Sequence, residues 1–181
     1  QYWYEQEIKD MKFAGIDYIF PISWGDHPWS WFKINALQNL VNAISATNSP
    51  LKIGLFDAST SEASEYNAYI ATGLLDGSSY KTSADGGIKM DLGDPAAAWF
   101  FYDRKIKPHF QLIPQNLWAT HDGLPVEQGG KPIIVVYGLN NWYSNLGFAD
   151  EVWSAVKNQF AVDFKDKNGN PIYPGIILDK Q

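Results

Sequence analysis

Three tryptophans, a carboxylate and an imidazole fall within Trp24-Gly25-Asp26-His27-Pro28-Trp29-Ser30-Trp31. Flat aromatic rings beside hydrogen-bonding groups suit a sugar, whose ring has an apolar face and a hydroxyl rim. Similar chemistry recurs along the chain. Asp57 closes the apolar run LKIGLF, Tyr137 closes PIIVV with Asn140, Asn141 and Trp142 just beyond it, and Asp179 follows IIL. Paired carboxylates flanking a glycosidic bond hydrolyse sugars, one as proton donor and the other as base or nucleophile. Asp57 and Asp179 are the candidate pair. Trp24, Asp26, His27, Trp29, Trp31, Tyr137, Asn140, Asn141 and Trp142 are the candidate substrate-binding set. Either carboxylate could instead bond local amides as a cap or turn.

Each candidate follows a short apolar run, and the intervening patterns explain how the runs could be brought together. Residues 1–14 carry Tyr4, Ile8 and Met11 at helical spacing, with Gly15 at the C-cap position. Ile16–Ile22 reads as a strand buried on both faces. Ile34, Leu37, Leu40, Val41 and Ile44 form a helical stripe ahead of the strand Leu51–Phe56. Residues 58–93 shift to Ser, Thr, Gly and Ala and read as a long loop insertion, with a short helix expected within 61–75. Asp94-Pro95 should open a helix that runs to Lys107 and ends or kinks at Pro108, with a second helical turn over 110–118. The strand Pro132–Tyr137, a helix capped by Asp150 and a strand over Ile176–Leu178 complete the series.

Long crossovers between apolar strands predict an α/β fold with a parallel sheet and right-handed connections. Two architectures fit: an open sheet with helices on both faces, and a (β/α)8 barrel. A whole barrel needs about 250 residues, and this chain has 181. The favoured expectation is one incomplete barrel domain over 1–181, of about four parallel strands with their helices, whose remainder lies beyond residue 181. In such folds the loops at the strands' C-terminal ends form the binding face.

Composition excludes several classes. The net charge of −6 comes without a basic run, which argues against nucleic acid. No apolar run approaches the roughly 20 residues that span a bilayer. With no cysteine there is no thiol chemistry or Cys-ligated zinc. No two histidines share a ligand spacing, so neither a metal nor another cofactor is expected, and His109 and His121 read as structural. Asp166-Lys167-Asn168-Gly169-Asn170 has its glycine one place too early for a calcium loop and reads as a turn. Dinucleotide, Walker and serine-hydrolase signatures are absent.

The segments EQEIKDMKFAGIDYIFPISWG, LKIGLFDAS, FFYDRKIKPHFQLIPQNLWATHDGLP and KPIIVVYG resemble glycoside hydrolase families 71 and 99, and most closely the bacterial group called domain of unknown function 5010. The resemblance spans nearly the whole chain and implies a (β/α)8 barrel acting on polysaccharide in secreted or periplasmic proteins. It also implies that Asp57 and Tyr137 contact substrate. The late Asn-Glu-Trp-type segment that carries the catalytic glutamates in family 99 has no match here. By the resemblance, the principal acids lie beyond residue 181, and Asp179 loses support as a catalyst. Three functions compete: a glycoside hydrolase domain seen in part, a non-catalytic carbohydrate-binding barrel module, and an open-sheet protein binding another small ligand.

Overall fold

The computed structural model describes residues 2–23, 34–58, 80–82, 88–93, 98–138 and 143–179. They form a mixed α/β fold with parallel strands in small sheets. In chain order the elements are α1 (Tyr2–Phe13), β1 (Tyr18–Ile19), β2 (Ile22–Ser23), α2 (Ile34–Ala46), β3 (Lys52–Ile53), β4 (Leu55–Ala58), β5 (Tyr80–Thr82), β6 (Ile88–Asp91), a π-helical segment (Phe100–Ile106), α3 (Lys107–Leu112), β7 (Ile133–Tyr137), β8 (Tyr143–Ser144), α4 (Ala149–Asp163) and β9 (Gly175–Leu178).

The main sheet runs β2-β4-β7-β9, all parallel, and β1 pairs with β3 in the same sense. β1 and β2 are two parts of one extended run. The amides of Lys52, Gly54 and Phe56 donate to the carbonyls of Asp17, Ile19 and Pro21 without a break. Pro21 has no N–H to return, which is why the run divides there. The strands thus stand side by side in chain order. In a second sheet β6 pairs antiparallel with β5 and parallel with β8, and β5 and β6 come from the region 58–93 expected to be loop. The short helix expected over 61–75 and the start at Asp94-Pro95 lie outside the described residues.

Alternation along the strands separates two sides of the sheet. Ile53, Leu55 and Asp57 are buried, and pairing aligns Leu55 with Ile134 and Ile176, then Asp57 with Val136 and Leu178. The helices cover this side. α1 touches α2, α2 touches α3, and the π-helical segment touches α4. Ile8, Val41, Ile44, Ile106, Phe110, Val156 and Phe160 join Ile53, Leu55 and Ile134 in one core. Each such side chain contributes roughly 1.5–3 kcal/mol on burial. Phe110, Trp118, Phe160 and Phe164 meet mostly edge to face within it, and the Trp118 indole N–H donates to the Ile113 carbonyl at 2.8 Å.

The other side carries Ile22, Phe56, Ile133, Val135, Tyr137 and Ile177. Ile22 is 51% exposed, Ile177 44% and Tyr137 42%. An apolar sheet face this open contrasts with the closed packing opposite.

Local details follow from sequence, with some corrections. Gly15 ends α1 at φ 73°, and the Ile16 amide reaches back to the Met11 carbonyl, a glycine-based cap. Pro108 does not end a helix. It sits in the first turn of α3, where its missing N–H costs little, and the distortion lies ahead of it in the π-helical segment. Asp150 does not cap α4, which starts at Ala149, so Asp150 lies in its first turn, where a carboxylate favours the helix dipole. The Asp166 segment is a turn. Asp166 Oδ1 accepts the amides of Asn168 and Asn170, each at 2.8 Å, with Gly169 at φ 85°.

Candidate functional site

The strand ends sort the candidate residues by parity. Asp57 shares a row with Ser23, Val136 and Leu178. The next row holds Ala58 and Tyr137, and Asp179 joins it through its amide, which donates to the Val136 carbonyl at 2.9 Å. Successive residues of a strand face opposite sides. Asp57 therefore belongs to the helix side, whereas the positions of Tyr137 and Asp179 belong to the open side. By this parity the positions of the two carboxylates expected to flank one bond fall on opposite sides of the sheet. Trp24, Asp26, His27, Trp29, Trp31, Asn140, Asn141 and Trp142 lie outside the described residues.

On the helix side, Lys105 Nζ bonds Asp57 Oδ1 at 3.1 Å, with the two side chains only 1% and 4% exposed. Asp57 Oδ2 is buried and finds no donor among the described residues. The sequence gives little warning of Lys105, which stands in the charged run DRKIK. In a regular helix the stripe Tyr102, Ile106, Phe110 would fill the buried face. The π-helical turn, in which the Lys107 amide donates to the Tyr102 carbonyl, adds a residue to each turn. Lys105 is thereby buried beside Ile106. Removing two charges from water costs several kcal/mol per ion, which mutual attraction and good geometry must offset. In this arrangement the Asp57 carboxylate is closed to a polymer.

One turn further on, His109 is buried against the same strand, its Nε2 positioned to donate to the Gly54 carbonyl at 3.2 Å. Burial lowers its pKa to about 4, with the Gly54 bond opposing the shift. The imidazole is neutral at pH 7 and braces strand to helix. His121 is exposed in a turn. Beyond this pair, Tyr102 donates to Asp163 Oδ2 at 2.8 Å and Lys107 Nζ pairs with the same oxygen at 2.9 Å. Burial and the Asp163 carboxylate hold the Tyr102 hydroxyl well above its ordinary pKa. These contacts tie the π-helical segment to the end of α4.

On the open side, the rings of Phe56 and Tyr137 stack, with centroids 5.8 Å apart and planes at 29°. Tyr137 thus offers a part-exposed ring braced from below, in the row that Asp179 extends. A separate cluster ties the second sheet together: Asp91 Oδ1 accepts from Asn145 Nδ2 at 2.6 Å and from the Gly93 amide at 2.8 Å, with Asn145 in the left-handed region at φ 56°. Among the described residues no group of three or more His, Asp or Glu side chains could hold a metal ion, and no helix is long and apolar enough to cross a membrane.

Neither the curated proteins nor the solved structures contain a match to this chain. The family described as "Domain of unknown function (DUF5010)" matches residues 1–179, and the chain belongs to that family.

Proposed function

We propose that this chain is part of a (β/α)8 barrel of the glycoside hydrolase 71/99 kind, which binds and hydrolyses a polysaccharide or oligosaccharide outside the cytoplasm. Sequential, all-parallel strands with helices packed in series are the arrangement of consecutive barrel units, whereas doubly wound sheets reverse strand order and carry helices on both faces. The observation that carries the sugar reading is the part-exposed Tyr137 ring. It is stacked on Phe56 at the C-terminal end of the sheet, on the side that would be the barrel interior, in the row of Asp179. A ring held in this way can receive the apolar face of a pyranose, and the carboxylate can accept its hydroxyls. The aromatic and polar residues of 24–31 and 140–142 follow neighbouring strand ends and would complete the wall.

A non-catalytic carbohydrate-binding role is the second reading, favoured by one observation. By ladder parity the positions of Asp57 and Asp179 fall on opposite sides of the sheet, an arrangement that favours binding over paired-carboxylate chemistry.

Calorimetric titration with α-mannans, α-1,3-glucans and β-glucans tests binding, and reducing-end release tests hydrolysis. At least one glycan should bind, and Tyr137→Ala should weaken it by about 1–3 kcal/mol, taking base–aromatic stacking as the scale. Absence of binding across the panel, or binding indifferent to Tyr137→Ala, refutes the assignment.

A further inference from the structure

Trp99 stands just ahead of the π-helical segment and is 42% exposed. The Arg104 guanidinium lies over its ring, 5.5 Å from the centroid. Single exposed apolar side chains are ordinary, but this one is held in an unusual way. Residues five apart in an α-helix stand about 140° apart round the axis and cannot stack. A π-helical turn closes on the fifth residue and brings such a pair together. The winding that buries Lys105 beside Asp57 therefore also seats Arg104 on Trp99. Tyr102, Lys105 and Ile106 are buried by it, while Asp103, Arg104 and Lys107 stay part-exposed.

Two contacts place this ring in the fold. Lys105 meets Asp57 and His109 meets Gly54, so the helix runs back along β4 from the strand's C-terminal end. Trp99 comes six residues before Lys105, up to about 9 Å further out in that direction. It therefore stands beyond the C-terminal end of the sheet, the end that carries Tyr137. Within the helical layer α3 touches α2 and the π-helical segment touches α4. The ring is thus mid-layer, away from both borders of the sheet, and the open side with Tyr137 is left clear.

We propose that Trp99, braced by Arg104, is a second sugar-stacking site on the rim of the face that carries Tyr137, and that it takes a pyranose further along the same glycan chain. The inference rests on the sugar reading and adds to it a dependence on chain length. The indole receives the apolar face of the pyranose ring. Asp103, one turn on and with its side chain one-third exposed, supplies an acceptor for hydroxyls. A ring already fixed by a cation–π contact has less freedom to lose on binding.

The test is calorimetric titration of the full-length protein with α-mannans, α-1,3-glucans and β-glucans, each as a length series from the shortest oligosaccharide that binds up to the polymer. Affinity should rise with chain length. Trp99→Ala should abolish that rise, weakening the polymer about 10-fold, the lower part of the aromatic stacking scale, with the shortest ligand unaffected. Trp99→Gln, which keeps a long side chain beside Arg104, should do the same, and Trp99→Phe, which keeps a flat ring, should retain most of the affinity. Tyr137→Ala should weaken short and long ligands alike. Circular dichroism and melting temperature establish that each variant is folded. Affinity independent of length, a polymer indifferent to Trp99→Ala and Trp99→Gln, or equal losses for short and long ligands overturns the second site while the Tyr137 assignment stands. Loss at Trp99 with none at Tyr137 overturns the Tyr137 assignment and supports the second site. A panel in which no glycan binds overturns both.

Discussion

Acid should destabilise this fold through His109 in a defined window. The imidazole is buried against the Gly54 carbonyl, and burial lowers its pKa to about 4 from an ordinary 6.5. Between those values the unfolded chain binds a proton that the folded chain refuses, so stability rises with pH. The contribution is complete above about pH 6.5 and is lost progressively as pH falls towards 4. At about 1.36 kcal/mol per pH unit, the gap amounts to about 3 kcal/mol. Carboxylates that fold with lowered pKa, such as Asp163 and Asp166, act lower, since their contribution is present above the ordinary carboxylate value and lost below it. The assay is urea unfolding at fixed protein concentration, at half-unit steps from pH 4 to 7.5. His109→Gln preserves a donor for the Gly54 carbonyl and removes the titration. The wild type should lose about 3 kcal/mol across the window and the variant should be nearly flat. Equal slopes in the two proteins would refute the reasoning.

The remaining predictions concern stability and close packing. Asp57→Ala removes the carboxylate bonded to the buried Lys105 ammonium and should cost about 3–5 kcal/mol, whereas the double change Asp57→Leu, Lys105→Met should recover most of it; thermal unfolding of the three proteins measures this. Gly130→Ala should destabilise more than Gly54→Ala. The added methyl at Gly130 would lie 1.9 Å from the Leu124 carbonyl oxygen, which is backbone, whereas at Gly54 it would lie 2.2 Å from the Phe20 ring, which can swing away. Overpacking of the Phe20 kind costs roughly 1–3 kcal/mol, so a melting temperature higher for Gly130→Ala than for Gly54→Ala would contradict the geometry.

Several features were legible in the sequence because their causes are local. Apolar runs with β-branched residues marked the strands at 52–58, 133–137 and 175–178, and 3.6-residue spacing marked α1, α2 and α4. Gly15 and Asn168-Gly169 required backbone conformations that glycine supplies, and they took them. Strand pairing, by contrast, depends on residues far apart in the chain, and only the tertiary structure assigned each strand end to a side of the sheet. Reading Asp57 and Asp179 as one pair needed only that both follow a strand. The ladder register separates them, because one position along a strand reverses a side chain's direction. Lys105 was equally hidden. Its burial depends on a π-helical turn and on an acceptor 48 residues away, and no periodicity within DRKIK encodes either. The chain order of the strands is likewise a property of long-range pairing, while the residues themselves specified only that the strands would be parallel; the burial on both faces expected of Ile16–Ile22 does not hold, since Ile22 is 51% exposed on the open side.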